Sequence, residues 1–228
     1  MNELYNQGMC RINDGNLKEG IELLKQAAGQ GYAEAQYQLA KYYFEGSGVE
    51  QDDTIAVDYL FDAAVQGHAE AQYELGHCYI EGRGVKCCIH EPVRWYRTAA
   101  RNGHVKAQYE LGNCYYKGVG TAQNFDLAAH YFGLAAEGGL DLAQIALGLC
   151  YDHGDGVIAD PKKAFEWYLK AAKQGHSDYA MFIVGSCYEQ AKGTERDVEA
   201  AREWYSRAAK DGYEDAINAL HDLDGLLV

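Results

Sequence analysis

The chain has 228 residues, of which 48% are hydrophobic and 24% are charged, and its formal net charge is −14. This composition is typical of a globular protein with a sizeable core, and no run reaches the roughly 18 apolar residues of a membrane helix. The acidic balance argues against binding to nucleic-acid phosphates. The start, MNELYNQGMC, lacks the basic and apolar regions of an export signal. We therefore expect a cytoplasmic protein, or a periplasmic or secreted one if a leader has been removed.

Pairs of adjacent alanines recur along the whole chain. Successive pairs lie 36, 36, 36, 36 and 37 residues apart, which indicates a repeat protein. Large side chains four and three residues before each pair, with a small residue seven before it, follow the i, i+3, i+4, i+7 spacing of one helix face. The pairs are Ala27-Ala28, Ala63-Ala64, Ala99-Ala100, Ala135-Ala136, Ala171-Ala172 and Ala208-Ala209.

Each alanine pair belongs to the second helix of its unit. Eleven residues before the pair stands a residue that, in five of six units, is a strong N-cap, and near the end stands a glycine that can adopt the left-handed stop conformation. The third unit departs from this pattern with Cys88 and Pro92, which predicts a shifted helix start there. The six start positions are Asn16, Asp52, Cys88, Asn124, Asp160 and Asp197, and the stop glycines are Gly31, Gly67, Gly103, Gly139, Gly175 and Gly212.

The first helix of each unit lies between a stop glycine and a Gly-x-Gly turn. The turns supply positive φ angles and run from Gly46 to Gly48, Gly82 to Gly84, Gly118 to Gly120, and Gly154 to Gly156. Glycines within these helices, at 76, 112, 148 and 185, each cost about 1 kcal/mol against alanine. We expect them to make room for a large neighbouring ring, and we assign that ring to the tryptophan column of Trp95, Trp167 and Trp204.

These motifs resemble those of the Sel-one-like repeat (SLR) family, a branch of the tetratricopeptide superfamily. The resemblance rests on Leu75-Gly76-His77-Cys78-Tyr79, on Gly82 to Val85 and Gly154 to Val157, and on the run from Lys163 to Ala172. It implies an all-α fold, a right-handed α-solenoid of about six antiparallel helix pairs in a single domain over 1–228. We predict units at 3–31, 32–67, 68–103, 104–139, 140–175 and 176–212, with residues 213–228 as a C-terminal capping helix.

The resemblance also implies a concave groove lined by the first helices. A column of mostly aromatic residues lies off the predicted buried seam, and charged and apolar residues continue the same face, which is typical of a peptide-binding surface. The alternative is that the rings stack between adjacent first helices. The candidate groove residues are Tyr37, Tyr73, Tyr109, Ile145, Phe182, Lys41, Phe44, Glu45, His77, Ile80, Glu81, Asn113, Tyr116 and Lys117.

The seven cysteines fall into two groups. One group shares a repeat column and is expected to pack in the core as free thiols; it comprises Cys10, Cys78, Cys114, Cys150 and Cys187. The other group, Cys87 and Cys88 followed by His90, consists of metal-ligand types without the usual Cys-x-x-Cys spacing. We therefore predict no metal, and keep a metal or redox site at these residues as an alternative. His68, His104 and His176 share a column at a helix junction, which favours a structural role.

No catalytic signature is present, so we expect no enzyme activity and no cofactor. The stretch between Lys41 and Arg83 has nine acidic residues and no Lys or Arg, which favours partners with basic segments. The leading hypothesis is a bacterial scaffold or adaptor that binds a protein or peptide in the groove, in signalling, regulation or host interaction. The alternative within the SLR resemblance is a small-molecule hydrolase.

Overall fold

The computed structural model describes residues 2–225, with the side chains of residues 224 and 225 excepted. Within that range the chain forms thirteen α-helices and no strands, which confirms the predicted all-α class. The helices are α1 (Glu3–Asn13), α2 (Leu17–Gly29), α3 (Ala33–Glu45), α4 (Asp53–Val65), α5 (Ala69–Glu81), α6 (Glu91–Arg101), α7 (Val105–Lys117), α8 (Phe125–Glu137), α9 (Asp141–His153), α10 (Pro161–Gln174), α11 (Asp178–Gln190), α12 (Val198–Ala209) and α13 (Glu214–Gly225). None of the helices in this range is long and apolar enough to cross a bilayer.

Contacts between residues divide the chain into two compact units. Unit 1 contains the residues up to Cys114 together with Gly118–Ala122, and unit 2 contains Tyr115–Lys117 and the residues from Gln123 onward. In unit 1 the pairs α1/α2, α3/α4 and α5/α6 pack together, and α2 and α4 also pack on the helix that follows. In unit 2 the pairs α9/α10 and α11/α12 do the same, with α8 against α9, α10 against α11 and α12 against α13. Consecutive helices thus bury one another's apolar faces, as a helical repeat requires.

The predicted N-cap column starts most of the second helices. Asp52 and Asp160 each accept hydrogen bonds from two backbone N–H groups of the first turn, and Asn124 and Asp197 each accept one. Asn16 occupies the cap position of α2 without a side-chain hydrogen bond. The third sequence repeat departs as predicted, because α6 begins at Glu91, after Cys88, with a proline in its first turn.

The glycines within the first helices face tyrosines, so the prediction of tryptophan was wrong. A Cβ on Gly76 would lie 2.5 Å from Cε1 of Tyr96, and a Cβ on Gly148 would lie 2.5 Å from Cε1 of Tyr168. Tyr96 and Tyr168 are 0% and 2% exposed. The tryptophan column stands one residue earlier on the helix, about 100° away, and therefore points elsewhere.

The second glycine of each Gly-x-Gly turn meets the start of the preceding second helix. A Cβ on Gly84 would lie 2.1 Å from the carbonyl oxygen of Asp53, and one on Gly156 would lie 2.0 Å from that of Phe125. The positive φ angles of 68° and 70° confirm the predicted conformation. The close approach adds a reason for glycine at these two positions, because any side chain there would collide with backbone.

A ladder of buried glutamines, which the sequence analysis missed, joins neighbouring helix pairs. Each glutamine donates to a backbone carbonyl in the last turn of the preceding second helix; Gln72, 1% exposed, donates to Ala64 O at 2.8 Å. Its own carbonyl accepts from the amide of Asn102 at 3.1 Å, just after α6. Both ends of the Gln72 amide are therefore hydrogen-bonded out of contact with water. The ladder comprises Gln36, Gln72, Gln108 and Gln144, which donate to Ala28, Ala64, Ala100 and Ala136.

All seven cysteines are free thiols. In the predicted core column Cys78, Cys150 and Cys187 are buried, and Cys114 is partly buried. Burial raises the pKa of the Cys78 thiol to about 12 and those of Cys150 and Cys187 to about 11. The core prediction was wrong for Cys10, which is exposed. Cys78 shares a buried cluster with residues of the preceding α4, whereas no helix precedes α1 among the described residues.

Helix α13 covers the last helix pair of unit 2. Its Ala216 and Leu223 are 0% and 2% exposed and belong to the same core cluster as Tyr205 and Ala208 of α12. This contact agrees with the predicted capping role. Residues 226–228 of the predicted cap lie outside the described residues.

Candidate functional site

The tyrosine column of α3 and α5 lies between successive helix pairs and is only partly exposed. The ring of Tyr37 stacks on the imidazole of His68, with centroids 4.7 Å apart and planes at 27°, and Tyr73 stacks on His104 with the same values. The stacking alternative therefore holds for these two rings. Both side chains, and that of Tyr109, are neither fully buried nor fully exposed. They combine a structural contact with a surface that a partner can reach.

The two histidines have the structural role predicted from their column. His68 caps α5 by accepting from the N–H of Ala71 through Nδ1 at 3.1 Å, so its proton is on Nε2, which donates to Glu34 at 3.0 Å. His104 makes the equivalent bonds to α7 and to Glu70. His176 does not follow this pattern, because Ser177 caps α11.

The electrostatic environment keeps the tyrosine hydroxyls protonated. Burial, then the nearby Glu70 and Glu74, raises the pKa of Tyr37 to about 12. Burial together with Glu110 raises the pKa of Tyr73 to about 12 as well. The hydroxyls are therefore neutral hydrogen-bond donors at any physiological pH.

Four of the predicted groove residues line one recess of about 230 Å³ in unit 1, between α3 and α5. Leu60 forms part of its floor, and it has carboxylates and cations on its rim. Leu60, Glu74 and Arg83 are not among the residues predicted for this surface. The lining residues are Tyr37, Lys41, Phe44, Glu45, Leu60, Glu74 and Arg83.

Arg83 is held in this recess by three contacts. Its guanidinium carbon lies 4.0 Å from the centroid of the Phe44 ring, its Nη2 donates to Phe44 O at 3.1 Å, and its Nε donates to Asp53 Oδ1 at 3.2 Å. Arg83 is the middle residue of a Gly-x-Gly turn and lies 39 residues beyond Phe44. Arg83 of one repeat thus contributes to the surface of the repeat before it. The Gly-x-Gly motif of a single repeat therefore could not predict this contact.

The remaining predicted residues of unit 1 differ in exposure. Ile80 is 53% exposed and Glu81 is exposed, as a contact surface requires. His77 is partly buried, with its ring 4.7 Å from Tyr73 and 5.6 Å from Tyr96. Asn113 donates to Glu110 at 3.4 Å on its own helix.

In unit 2 the predicted residues have different surroundings. Tyr116 donates to Asp155 at 2.8 Å, and that hydrogen bond, with burial second, raises its pKa to about 12. Phe182 packs on Tyr205 and Tyr213 at centroid distances of 5.5 and 5.6 Å. The expectation that Ile145 lies off the buried seam was wrong: it is 6% exposed, because it belongs to the core cluster of α9 to α13. Lys117 is exposed.

Cys87, Cys88 and His90 are not brought together as metal ligands. Cys87 is exposed with its thiol 3.7 Å from Ile80 O, and His90 Nδ1 lies 3.0 Å from Gly120 O. In the part of the chain that the structure describes, no three His, Cys, Asp or Glu side chains are grouped to hold a metal ion.

Repeated helix pairs, left-handed glycine turns and a partly exposed aromatic column define a helical repeat protein of the tetratricopeptide-like class. The chain belongs to the Sel1 repeat family, whose sequence pattern matches residues 4–32, 33–68, 69–86, 90–104, 105–140, 141–176 and 178–213. The segments 69–86 and 90–104 cover α5 and α6, the pair with the shifted helix start. Proteins of this family are generally protein-interaction scaffolds and typically not enzymes.

Solved structures of bacterial SLR proteins resemble this chain closely. One is c5321, a protective antigen of uropathogenic Escherichia coli, with 32% identity and a TM-score of 0.92 over 98% of this chain and 49% of its own. This chain thus spans about half the length of that protein. A Sel1 repeat protein of Oxalobacter formigenes has 33% identity and a TM-score of 0.84 over 96% of this chain and 87% of its own. A search of curated proteins gave no significant match.

Proposed function

We propose that this chain is a non-enzymatic scaffold that binds a protein or peptide on the first-helix face of unit 1. The recess between α3 and α5 carries this proposal. Its lining combines aromatic and aliphatic side chains with separate positive and negative groups, and Lys41 and Glu45 at its rim are exposed. Such a combination suits a peptide side chain held by apolar contact and oriented by charge.

The partner's binding segment is basic. Nine acidic residues and no Lys or Arg stand between Lys41 and Arg83. Of these, Asp53 is paired with Arg83 and Glu70 with His104, whereas Glu45 and Glu81 are exposed. The free carboxylates attract a cationic segment and speed its encounter, an effect that salt weakens.

The biological context we propose is signalling, regulation or host interaction in a bacterium. The host-interaction branch is motivated by the Escherichia coli relative, which is a protective antigen.

The test is a matched pair of charge reversals. Glu45→Lys lies on the proposed face and Asp58→Lys on an exposed position of α4, and both change the net charge equally. We expect Glu45→Lys to weaken association with the natural partner about tenfold, and Asp58→Lys to change it less than about threefold. Equal effects of the two variants would show that net charge, rather than this face, determines binding.

A further inference from the structure

A second recess lies in unit 2, where residues of α8, α9 and α10 line it. It has a volume of about 510 Å³. Apolar side chains from all three helices line it, and Gly133 leaves its middle open, because nothing lies within 4 Å of where a Cβ would stand. Its apolar lining includes Leu134, Leu147, Tyr151, Val157 and Trp167.

The repeat register shows what is missing at Gly133. Gly133 stands two residues before its alanine pair. In the other five repeats this position carries a side chain, so Gly133 is the one glycine of the column. In the repeat formed by α3 and α4 the equivalent residue is Phe61, whose ring meets Trp95 edge-on with centroids 5.8 Å apart and planes at 79°. Trp95 is 6% exposed, whereas Trp167 is only partly buried. The other members of the column are Lys25, Arg97, Leu169 and Ser206.

A cation on the tryptophan does not prevent such a ring from packing. Lys170 Nζ lies 3.8 Å from the centroid of the Trp167 ring. In unit 1 the guanidinium of Arg94 lies 5.7 Å from the centroid of the Trp95 ring while Phe61 contacts the same tryptophan. One indole ring therefore accommodates a cation and a phenyl ring together.

The charged residues around the recess favour a bound segment of a particular charge. Asp126 and Glu137 are exposed carboxylates of α8 on the edge of the recess. From Val119 to Pro161 the sequence contains six acidic residues and no Lys or Arg. The lysines of α10 closest to the recess, Lys163 and Lys170, lie over the rings of Tyr151 and Trp167. A basic segment is therefore favoured along the α8 edge.

We propose that this recess binds the phenyl ring of a phenylalanine that a partner protein presents in a basic segment. The ring takes the place beside Trp167 that Phe61 takes beside Trp95, and flanking Lys or Arg side chains pair with Asp126 and Glu137. The recess shares no lining residue with the recess of unit 1, so either proposal can be correct without the other.

The experiment measures the affinity of the whole protein for three fluorescein-labelled peptides. The first carries one phenylalanine between lysines, the second replaces the phenylalanine with alanine, and the third replaces the lysines with glutamates. We expect the second and third peptides to bind at least about tenfold more weakly than the first. Equal affinity of the alanine peptide would overturn the ring site, and equal affinity of the glutamate peptide would overturn the basic flank.

Two variants of one position locate the binding. Gly133→Phe supplies the missing ring from within the chain and is expected to reduce binding of the first peptide at least about tenfold. Gly133→Ala is the control, because it leaves the recess open and is expected to change affinity less than about twofold. Equal peptide binding by the two variants would place the peptide elsewhere and overturn the proposal.

A double variant tests the same site without filling it. Asp126→Asn combined with Glu137→Gln keeps the shape of the recess and removes both carboxylates. We expect this variant to bind the first peptide several-fold more weakly and with a smaller dependence on salt. An unchanged affinity and salt dependence would overturn the pairing of these carboxylates with the partner.

Discussion

Helices α5 and α11 have equivalent positions in the repeat, but the contacts of α5 with its neighbouring helices are partly polar and those of α11 are apolar. At α5, Gln72 is buried with two hydrogen-bond partners, and Tyr73 stacks on the cap residue His104. At α11 the equivalent of the glutamine is Met181, 8% exposed, and Phe182 packs on Tyr213. The arrangement of the helices therefore does not require the glutamine ladder. The hydrogen bonds add direction to a contact that apolar side chains can also make.

The turn after α11 also differs from the turn after α5. After α11 the first turn glycine is replaced by Ala191 at φ 57°, whereas the second is retained as Gly193. A Cβ on Gly193 would lie 2.0 Å from the carbonyl oxygen of Pro161. The first position thus requires a conformation that alanine adopts at some cost, and the second also requires the absence of a side chain.

Thiol reactivity provides the largest contrast. Cys78 lies at the α5 junction and Cys187 at the α11 junction, and burial raises their pKa values to about 12 and about 11. Raised values mean protonated, unreactive thiols at pH 8, so we expect both to react at least about a hundredfold more slowly than the exposed Cys10. Mass spectrometry after timed labelling measures the rates. Labelling of Cys78 as fast as Cys10 would contradict the buried position.

A pair of turn substitutions gives the next largest effect. Gly156→Ala adds left-handed strain and a backbone collision, and we expect it to lower the free energy of unfolding by about 3 kcal/mol. Gly154→Ala adds only strain, because its Cβ would lie 3.5 Å from the Ala159 side chain, and should cost about 1 kcal/mol. Urea unfolding measures both. Equal costs would contradict the distinction between the two turn positions.

Replacing the glutamine tests the polar junction directly. Gln72→Met removes the hydrogen bonds that Gln72 makes to Ala64 O and to the Asn102 amide. We expect the loss of these two buried bonds to lower the free energy of unfolding by about 2 kcal/mol. The control Met181→Leu conserves apolar volume and should cost less than about 1.5 kcal/mol. Gln72→Met should also accelerate labelling of Cys78 and leave Cys187 unchanged. A neutral Gln72→Met would show that the ladder adds no stability.

The smallest effect is a gain. Gly133→Ala places a methyl group in open space on α8, and we expect it to raise the free energy of unfolding by about 0.5–1 kcal/mol through helix propensity. Gly76→Ala, also within a helix, should instead destabilise because of Tyr96. Thermal unfolding of the two variants compares them. A stabilising Gly76→Ala would contradict the close packing of that ring.

Local signals in the sequence were sufficient for the helices, most of the caps and the turns. Asp52 and Asp160 cap the helices that follow them, and the turn glycines have positive φ, because each depends on residues close in the chain. Contacts between repeats were less accessible. Within one repeat, each glutamine of the ladder is only a polar residue on a helix, and its partners lie in other helices. Arg83 likewise contacts Phe44 from the next repeat.

The candidate site was predictable to a similar extent and for the same reason. The face containing Tyr37, Lys41, Phe44 and Glu45 follows from helical spacing, and the structure brings these residues to one recess. The same spacing places Ile145 on that face, yet its neighbours bury it. Periodicity gives the direction of a side chain, whereas its exposure depends on the size of residues in adjacent helices.

The most direct test of the proposed binding face is site-specific photo-crosslinking in the native host. A photoreactive residue replaces Ile80, which is 53% exposed on α5, or, as the control, Val65, which is 59% exposed on α4. The account predicts that the probe at Ile80 forms a crosslink to a partner segment rich in Lys or Arg and that the probe at Val65 does not. Crosslinking of that segment at Val65 and not at Ile80 would contradict it.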